Sequence, residues 1–97
     1  MQLADFQERI EAIYGTRDRV RGLDGTFRRL VEEVGEFAHS LRDLDPRALS
    51  EEVSDVLAWT VSLASMCGVD VATAASRYSR GCPKCQATPC ACAPDFR

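Results

Sequence analysis

Apolar residues recur at helical spacing in four separate segments of this 97-residue chain. No segment alternates apolar and polar residues for long enough to indicate a strand, so the pattern predicts an all-α protein. The first apolar stripe begins at Leu3 and ends at Gly15, and a charged loop, TRDRVRGLDG, follows it. Asp24 then has the position of an N-cap for the second predicted helix, which extends over about residues 26–43.

The third predicted helix begins at Asp45, a capping residue that is followed by proline at the first helical position. It ends at Gly68, and a short fourth helix extends from about Asp70 to Gly81. Cys67 falls on the apolar stripe of the third helix, which indicates a small core residue. Four helices with short connections predict an antiparallel bundle with two long central helices.

The two central helices carry broad apolar stripes, and the two short flanking helices are too small to cover them. We therefore expect a homodimer or a homotetramer to complete the bundle.

The composition is 45% hydrophobic and 28% charged, which is typical of a globular protein, and the net charge of −3 argues against a nucleic-acid binder. The opening MQLADFQERI lacks the features of a secretory signal. Residues 56–69, the most apolar stretch, are too few and too rich in Ser and Thr to span a bilayer. We therefore expect a cytoplasmic protein without membrane contact.

Two acidic motifs repeat the pattern EExx(E/D) on the two central helices, as EEVGE and EEVSD. With about 100° of rotation per residue, Glu33 and Glu36 lie about 60° and about 120° from the centre of one apolar stripe. Glu52 and Asp55 lie at about the same two angles from the centre of the other stripe. Each pair therefore borders a buried stripe, and packing of the stripes can bring the two pairs together.

Carboxylates held this close repel one another unless a cation joins them. Hard oxygen donors favour Mg²⁺ or Mn²⁺, which also bind phosphate oxygens. The sequence therefore predicts a divalent-cation site at this margin. The competing interpretation is a solvated acidic surface near Arg28, Arg29 and Arg42.

The segments LVEEVGEFAHSL and SEEVSDVLAW resemble the MazG-like, all-α nucleoside triphosphate pyrophosphohydrolases, whose signature is EExxE, a spacer, and ExxD. The likeness extends over about residues 3–80. It implies cleavage of an NTP or dNTP between the α and β phosphates, which gives a monophosphate and pyrophosphate.

The same resemblance assigns roles to the acidic residues. It implies that Mg²⁺, or Mn²⁺, is held by Glu33, Glu36, Glu52 and Asp55. It also implies that Glu32 and Glu36 belong to the catalytic set, with Glu32 as a further ligand or as the group that orients and deprotonates the attacking water.

Many relatives in that family contact phosphates through lysines or an asparagine after the fourth helix, where this chain has Arg77, Tyr78 and Arg80. Arginine can make such contacts through bidentate hydrogen bonds, so Arg77 and Arg80 are the predicted substrate-binding residues. The alternatives are arginines of the first loop, namely Arg17, Arg19 and Arg21.

Trp59 lies one helical turn beyond Asp55, on the acidic side of its stripe. Its ring is a candidate for stacking on the nucleobase of the substrate. The alternative is that Trp59 packs at the margin of the core.

The composition changes abruptly after residue 80, where the tail GCPKCQATPCACAPDFR carries four of the five cysteines. Cys82, Cys85, Cys90 and Cys92 form a CxxC and a CxC pair, and four thiolates suit tetrahedral Zn²⁺ in a closed, structural site. A dithiol–disulfide pair or a metal shared between subunits are the alternatives.

The chain is thus predicted to comprise a helical pyrophosphohydrolase domain, residues 1–80, and a cysteine-rich, zinc-binding tail, residues 81–97. The competing hypothesis is a non-catalytic, zinc-stapled helical interaction or regulatory module on the same scaffold. The intact acidic set favours the enzyme, whereas the tail and the missing lysines favour the alternative.

Overall fold

The structure is a computed structural model that describes residues 1–94. Three helices follow one another, α1 (Leu3–Ser40), α2 (Pro46–Met66) and α3 (Val71–Ala75), and a 3₁₀ turn (Ser76–Tyr78) continues α3. No strand occurs within this described part, so the predicted all-α fold is confirmed. The last three residues of the predicted tail, 95–97, lie outside the described residues.

Helix α1 joins the first two predicted helices, and the prediction of a loop between them was wrong. Gly15 is helical and buried, and the helix continues until Gly22, which has φ 85° and ψ 172°. That conformation is open almost only to glycine, so the break is confined to one residue. An ion pair at i,i+3 spacing, Arg21 with Asp18, stabilises the expected loop as helix, and Arg19 also binds Glu11, eight residues earlier.

Arg21 also connects the two segments of α1 across Gly22. Its Nη1 donates to Asp18 Oδ1 at 2.8 Å and to Thr26 Oγ1 at 3.4 Å. Asp18 is 2% exposed and Thr26 is fully buried. Because buried polar groups need their partners, this network holds the second segment of α1 at a defined angle to the first.

Helix α2 begins as predicted, with Asp45 accepting a hydrogen bond from the Arg47 amide at 3.2 Å and Pro46 in the first turn. It ends at Met66, before Gly68 at φ 74°. Cys67, predicted as a core residue, is exposed instead, because the helix ends one residue before it and leaves it at the C-cap.

Helix α3 is shorter than predicted but begins as expected, with the Asp70 side chain accepting from the Ala72 amide at 3.2 Å. Gln7 of α1 ties this region to the start of the chain. Its amide donates to Ser65 Oγ at 3.1 Å and to the Val69 carbonyl at 2.8 Å. These contacts hold the beginning of α1 against the end of α2.

The core is thin. Ile10 and Val61 are the only large apolar side chains that are fully buried within residues 1–94. Many residues of the predicted central stripes are exposed by 41% or more, and they include Phe27, Val31, Val34, Leu41, Val53 and Leu57. The packing of α1 on α2 therefore covers only part of each stripe.

Within the described part of the chain, no single helix combines the length and apolar character that a bilayer crossing needs. Only α2 and the Val71–Tyr78 segment taken together, with a bend of 110° between them, reach that length and composition.

Candidate functional site

The two acidic motifs meet where the second segment of α1 packs on α2. Glu33, Glu52 and Asp55 each offer a carboxylate oxygen, and these oxygens all lie within 4.8 Å of one another. Glu33 and Glu52 are partly buried and Asp55 is exposed. We call these three residues the acidic cluster.

Burial and mutual repulsion change the titration of the acidic cluster. The pKa of Glu33 is raised above 4.5, first by burial and then by the charges of Asp55, Glu52 and Glu36, while Arg29 opposes the rise. The pKa of Glu52 is raised by burial and then chiefly by the charge of Glu36. Glu36 thus adds negative charge to the acidic cluster although it lies outside the group of three.

One oxygen of the acidic cluster has no partner among the described residues. Glu52 Oε2 is buried and accepts no hydrogen bond. A buried carboxylate oxygen without a donor is costly unless a proton or a cation satisfies it. This atom and the crowding of three carboxylates fit a divalent cation with oxygen ligands.

The two remaining glutamates of the motifs face arginines on the surface. Glu32 Oε2 accepts from Arg29 Nη1 at 2.9 Å, and both side chains are about half exposed. Glu51 lies 3.7 Å from Arg47 in a more exposed ion pair. Glu51 is therefore a surface residue, and the catalytic role of Glu32 stays a prediction.

Trp59 shares a cavity of about 220 Å³ with Glu33 and Asp55. The guanidinium carbon of Arg21 lies 4.8 Å from the centre of its ring, and that of Arg29 lies 5.5 Å from it. The ring therefore carries two cations beside the acidic cluster. Stacking of a nucleobase on Trp59 stays a prediction.

Arg29 lies at this site, and the sequence alone did not predict that. The sequence indicates only that Arg29 is near the acidic motifs. The available signal was its position four residues before Glu33, which places both side chains on one face of α1.

Arg77 and Arg80, the predicted substrate-binding residues, are both exposed near the tail. Arg77 lies 5.4 Å from the centre of the Tyr78 ring, and both arginines line a cavity with Cys82. Neither lines the cavity that contains Glu33 and Asp55. Their role in substrate binding stays a prediction.

The four tail cysteines come together as the spacing suggested. Their sulfur atoms all lie within 4.8 Å of one another, and we call this group the thiol cluster: Cys82, Cys85, Cys90 and Cys92. The closest pairs are Cys82 with Cys92 at 3.8 Å and Cys85 with Cys90 at 3.9 Å, so the sulfurs are in contact without being bonded.

Backbone turns bring the thiol cluster together. Gln86, directly after the CxxC pair, has φ 60°, and its amide donates to the Cys82 carbonyl at 2.6 Å. The Cys82 amide donates in turn to the Ala87 carbonyl at 3.1 Å. A residue in the left-handed region and two backbone hydrogen bonds thus shape the turn between the two pairs.

Backbone N–H groups also point at the sulfurs. The Ala91 amide lies 3.2 Å from Cys85 Sγ, and the amides of Ala91 and Ala87 lower the pKa of Cys85 to about 6. The neighbouring thiols of Cys90 and Cys85 raise the pKa of Cys92 to about 12. The pKa of Cys82 is also lowered by backbone N–H groups, so the thiol cluster contains readily ionised sulfurs and can hold a metal ion that favours sulfur.

Comparison with known proteins adds two findings. The pattern of the MazG nucleotide pyrophosphohydrolase domain matches residues 21–84, which contain both acidic motifs. Over 72 residues the chain is 39% identical to a protein of Cyanophage S-2L named dATP/dGTP diphosphohydrolase. That alignment covers 74% of this chain and 65% of the relative.

Proposed function

The chain belongs to the MazG nucleotide pyrophosphohydrolase family, and from that premise we propose that it hydrolyses a nucleoside triphosphate between the α and β phosphates. The products are a nucleoside monophosphate and pyrophosphate. The observation that carries the proposal is the acidic cluster with its unpartnered Glu52 oxygen. The name of the phage relative makes dATP and dGTP the first substrates to test.

The acidic cluster, with Glu36 beside it, has the oxygen ligands that Mg²⁺ or Mn²⁺ needs. When bound there, the ion supplies positive charge for the phosphates and makes water more acidic. Glu32 directly precedes Glu33 in the chain and is exposed, so it is the proposed acceptor of the proton from water. Base stacking on Trp59 and phosphate contacts from Arg77 and Arg80 complete the proposed site.

For the thiol cluster we propose one structural Zn²⁺ with four sulfur ligands. The backbone N–H groups directed at Cys85 and Cys90 support this, because they stabilise thiolates. Elemental analysis of reduced protein should find about one zinc per chain. Absence of zinc together with rapid oxidation to a disulfide would favour the dithiol alternative.

A second copy of the chain is the proposed partner for the uncovered central stripes. Side chains such as Val31 and Leu57 are about half exposed, and the covered core is too thin for a stable domain of this size. Sedimentation should give a dimer or a tetramer. Val31→Glu should shift it toward monomer, whereas His39→Glu, at another exposed position of α1, should not.

The test of the proposed activity is an assay with a panel of NTPs and dNTPs in the presence of Mg²⁺ or Mn²⁺, with monophosphate and pyrophosphate both measured. Glu36→Gln should reduce the rate strongly, because it removes charge next to Glu33 and Glu52. Turnover of no nucleotide, or an unchanged rate in Glu36→Gln, contradicts the proposal. The first of these results would favour the non-catalytic module.

A further inference from the structure

The two arginines over Trp59 have different surroundings. Arg21 binds the buried residues Asp18 and Thr26, so its guanidinium is held in place on both sides of Gly22. Arg29 makes one ion pair within residues 1–94, with the exposed Glu32, and its charge also acts on Glu33. The two arginines are therefore unequal, since only Arg29 can change partner without uncovering a buried charge.

The position of Arg29 relative to the acidic cluster is set by α1 and by the Trp59 ring. Arg29 lies one helical turn before Glu33, which is a member of the acidic cluster. Its guanidinium lies 5.5 Å from the centre of the Trp59 ring, and the same ring lines the cavity of Glu33 and Asp55. A cation is thus held against a ring of a cavity whose charged lining residues, Asp18, Glu33 and Asp55, are all acidic.

The ion pair of Arg29 with Glu32 is a weak interaction. The two side chains are 49% and 60% exposed, and exposed ion pairs contribute little to stability. A triphosphate next to the acidic cluster offers more negative charge, and its oxygens suit the planar fork of a guanidinium. Exchange of one carboxylate for one phosphate is therefore favourable, and it releases Glu32.

We propose that Arg29 is a phosphate-binding residue that exchanges Glu32 for the triphosphate of the substrate, with Trp59 as the positioning residue that holds its guanidinium. This rests on the proposed function for the identity of the ligand. It gives Trp59 a second task beside the proposed stacking on a base. It also releases the Glu32 carboxylate only when phosphate is present.

Inorganic triphosphate with Mn²⁺ tests the phosphate contact without a nucleobase, by calorimetry on the full chain. Arg29→Ala should weaken triphosphate binding by about ten- to a hundredfold, the range expected for a lost charge-assisted hydrogen bond. Arg28→Ala removes the same charge from the neighbouring exposed position and should leave binding within about twofold, as for a distant surface charge. Equal affinities for the two variants would overturn the proposal.

Arg29→Lys distinguishes binding of phosphate by the planar guanidinium from binding by positive charge alone. Lysine keeps the charge but loses the planar fork and most of the stacking, so this variant should recover only part of the lost affinity. Mn²⁺ binding without triphosphate, measured by electron paramagnetic resonance, should not be weakened in Arg29→Ala, because the variant removes a positive charge that acts on Glu33. If that variant loses Mn²⁺ binding as well, Arg29 supports the metal site and not the phosphate, and the proposal fails.

The positioning role of Trp59 is tested by a double-mutant cycle. Trp59→Leu should weaken triphosphate binding by about two- to tenfold when Arg29 is present, because a cation–π contact is lost. It should have little further effect in Arg29→Ala. Trp59→Phe, which keeps an aromatic face, should lie between the wild type and Trp59→Leu and guards against a folding defect. Trp59 variants that weaken binding of α,β-methylene-dATP but not of triphosphate would overturn this role and indicate base stacking.

These outcomes are separate from those of the hydrolysis assay. If no nucleotide is hydrolysed but triphosphate binding still depends on Arg29, the proposed function fails and the phosphate site stands. If the wild type binds no triphosphate, the assignment of Arg29 is overturned whatever the hydrolysis assay gives.

Discussion

The acidic cluster and the thiol cluster both gather ligand atoms within 4.8 Å, but the chain builds them in different ways. The acidic cluster takes residues from two helices, so it depends on how α1 packs on α2. The thiol cluster takes all four residues from one short segment, which is folded by hydrogen bonds between neighbouring turns. The geometry of the acidic cluster therefore depends on tertiary packing, and that of the thiol cluster depends on local backbone conformation.

The two clusters also differ in how complete they are. In the thiol cluster the protein supplies all four ligands that tetrahedral zinc needs, which is typical of a structural site. The acidic cluster offers three carboxylates beside a cavity, with Glu36 further out, and a six-coordinate ion would keep positions for other oxygens. By ligand count, therefore, the thiol cluster is closed around an ion, whereas the acidic cluster leaves room for ligands from outside the protein.

The largest effect is expected from a change at the acidic cluster. Glu52→Gln should reduce hydrolysis by more than the roughly 10- to 100-fold that is typical of residues behind a metal's direct ligands. Zinc content should not change. Glu51→Gln is the matched control, since its exposed carboxylate faces Arg47. Initial rates with dATP and dGTP decide this, and equal rates in the two variants would remove Glu52 from the site.

A substitution in the thiol cluster should have the opposite pattern, with a loss of zinc rather than of hydrolysis. Cys85→Ser should lower the zinc content from about one ion per chain to nearly none and make the tail sensitive to protease. Hydrolysis should fall less than in Glu52→Gln, since no tail residue lines the Glu33 cavity and only the proposed phosphate contacts Arg77 and Arg80 share a cavity with Cys82. Cys67→Ser, at an exposed cysteine outside the cluster, should retain zinc. If Cys85→Ser loses activity as fully as Glu52→Gln, the two clusters are not independent.

The same comparison explains which features the sequence could predict. The meeting of Glu33 with Glu52 and Asp55 followed from helical rotation alone, because the spacing sets each residue's angle to the apolar stripe. The thiol cluster followed from its CxxC and CxC spacing. Asp45 and Asp70 also marked their helix starts correctly, because a side-chain cap is a local interaction.

The features that the sequence did not predict depend on contacts between distant residues. Two glycines predicted a loop before residue 26, but ion pairs and the buried Asp18 keep that segment helical up to Gly22. The position of Arg29 over Trp59 depends on the angle between α1 and α2, which no local pattern contains. The exposure of Cys67 depends on a helix end that lies two residues before the predicted one.

Substitutions at two glycines, Gly22 in α1 and Gly81 before the tail, should disturb the two clusters separately. Gly22→Ala should destabilise the protein by about 1–3 kcal/mol, because φ 85° with ψ 172° is open almost only to glycine. Gly81→Ala should be at least as damaging to the tail, because its Cβ would lie 2.8 Å from the Ala87 carbonyl oxygen at φ 112°. Gly35→Ala, where a Cβ meets nothing within 4 Å, is the helical control and should be neutral or stabilising.

These two variants, Gly22→Ala and Gly81→Ala, are tested by denaturation in which loss of helix and release of zinc are followed separately. Gly22→Ala should lower the midpoint of the helical transition without loss of zinc. Gly81→Ala should release zinc at lower denaturant and leave the helices nearly unchanged. A single shared transition in both variants would show that the clusters unfold together.

The smallest effect concerns pH. Because the folded chain raises the pKa of Glu33 and Glu52 above 4.5, it binds more protons than the unfolded chain in the interval just above that value. Stability from these groups is therefore lost as the pH rises through this interval in metal-free protein. Glu52→Gln should be more stable than the wild type above the interval, and the difference should vanish below it. Thermal melts without metal measure this, and Mg²⁺ should remove the difference by stabilising only the wild type.

Anomalous diffraction from crystals grown with Mn²⁺ and α,β-methylene-dATP would show which cluster binds which metal, because data at the manganese and zinc edges locate both metals. We expect manganese among the carboxylates of Glu33, Glu52 and Asp55, in contact with phosphate oxygens. We expect zinc among the four sulfurs of the thiol cluster. Manganese away from these carboxylates, or triphosphate bound elsewhere on the protein, would contradict it.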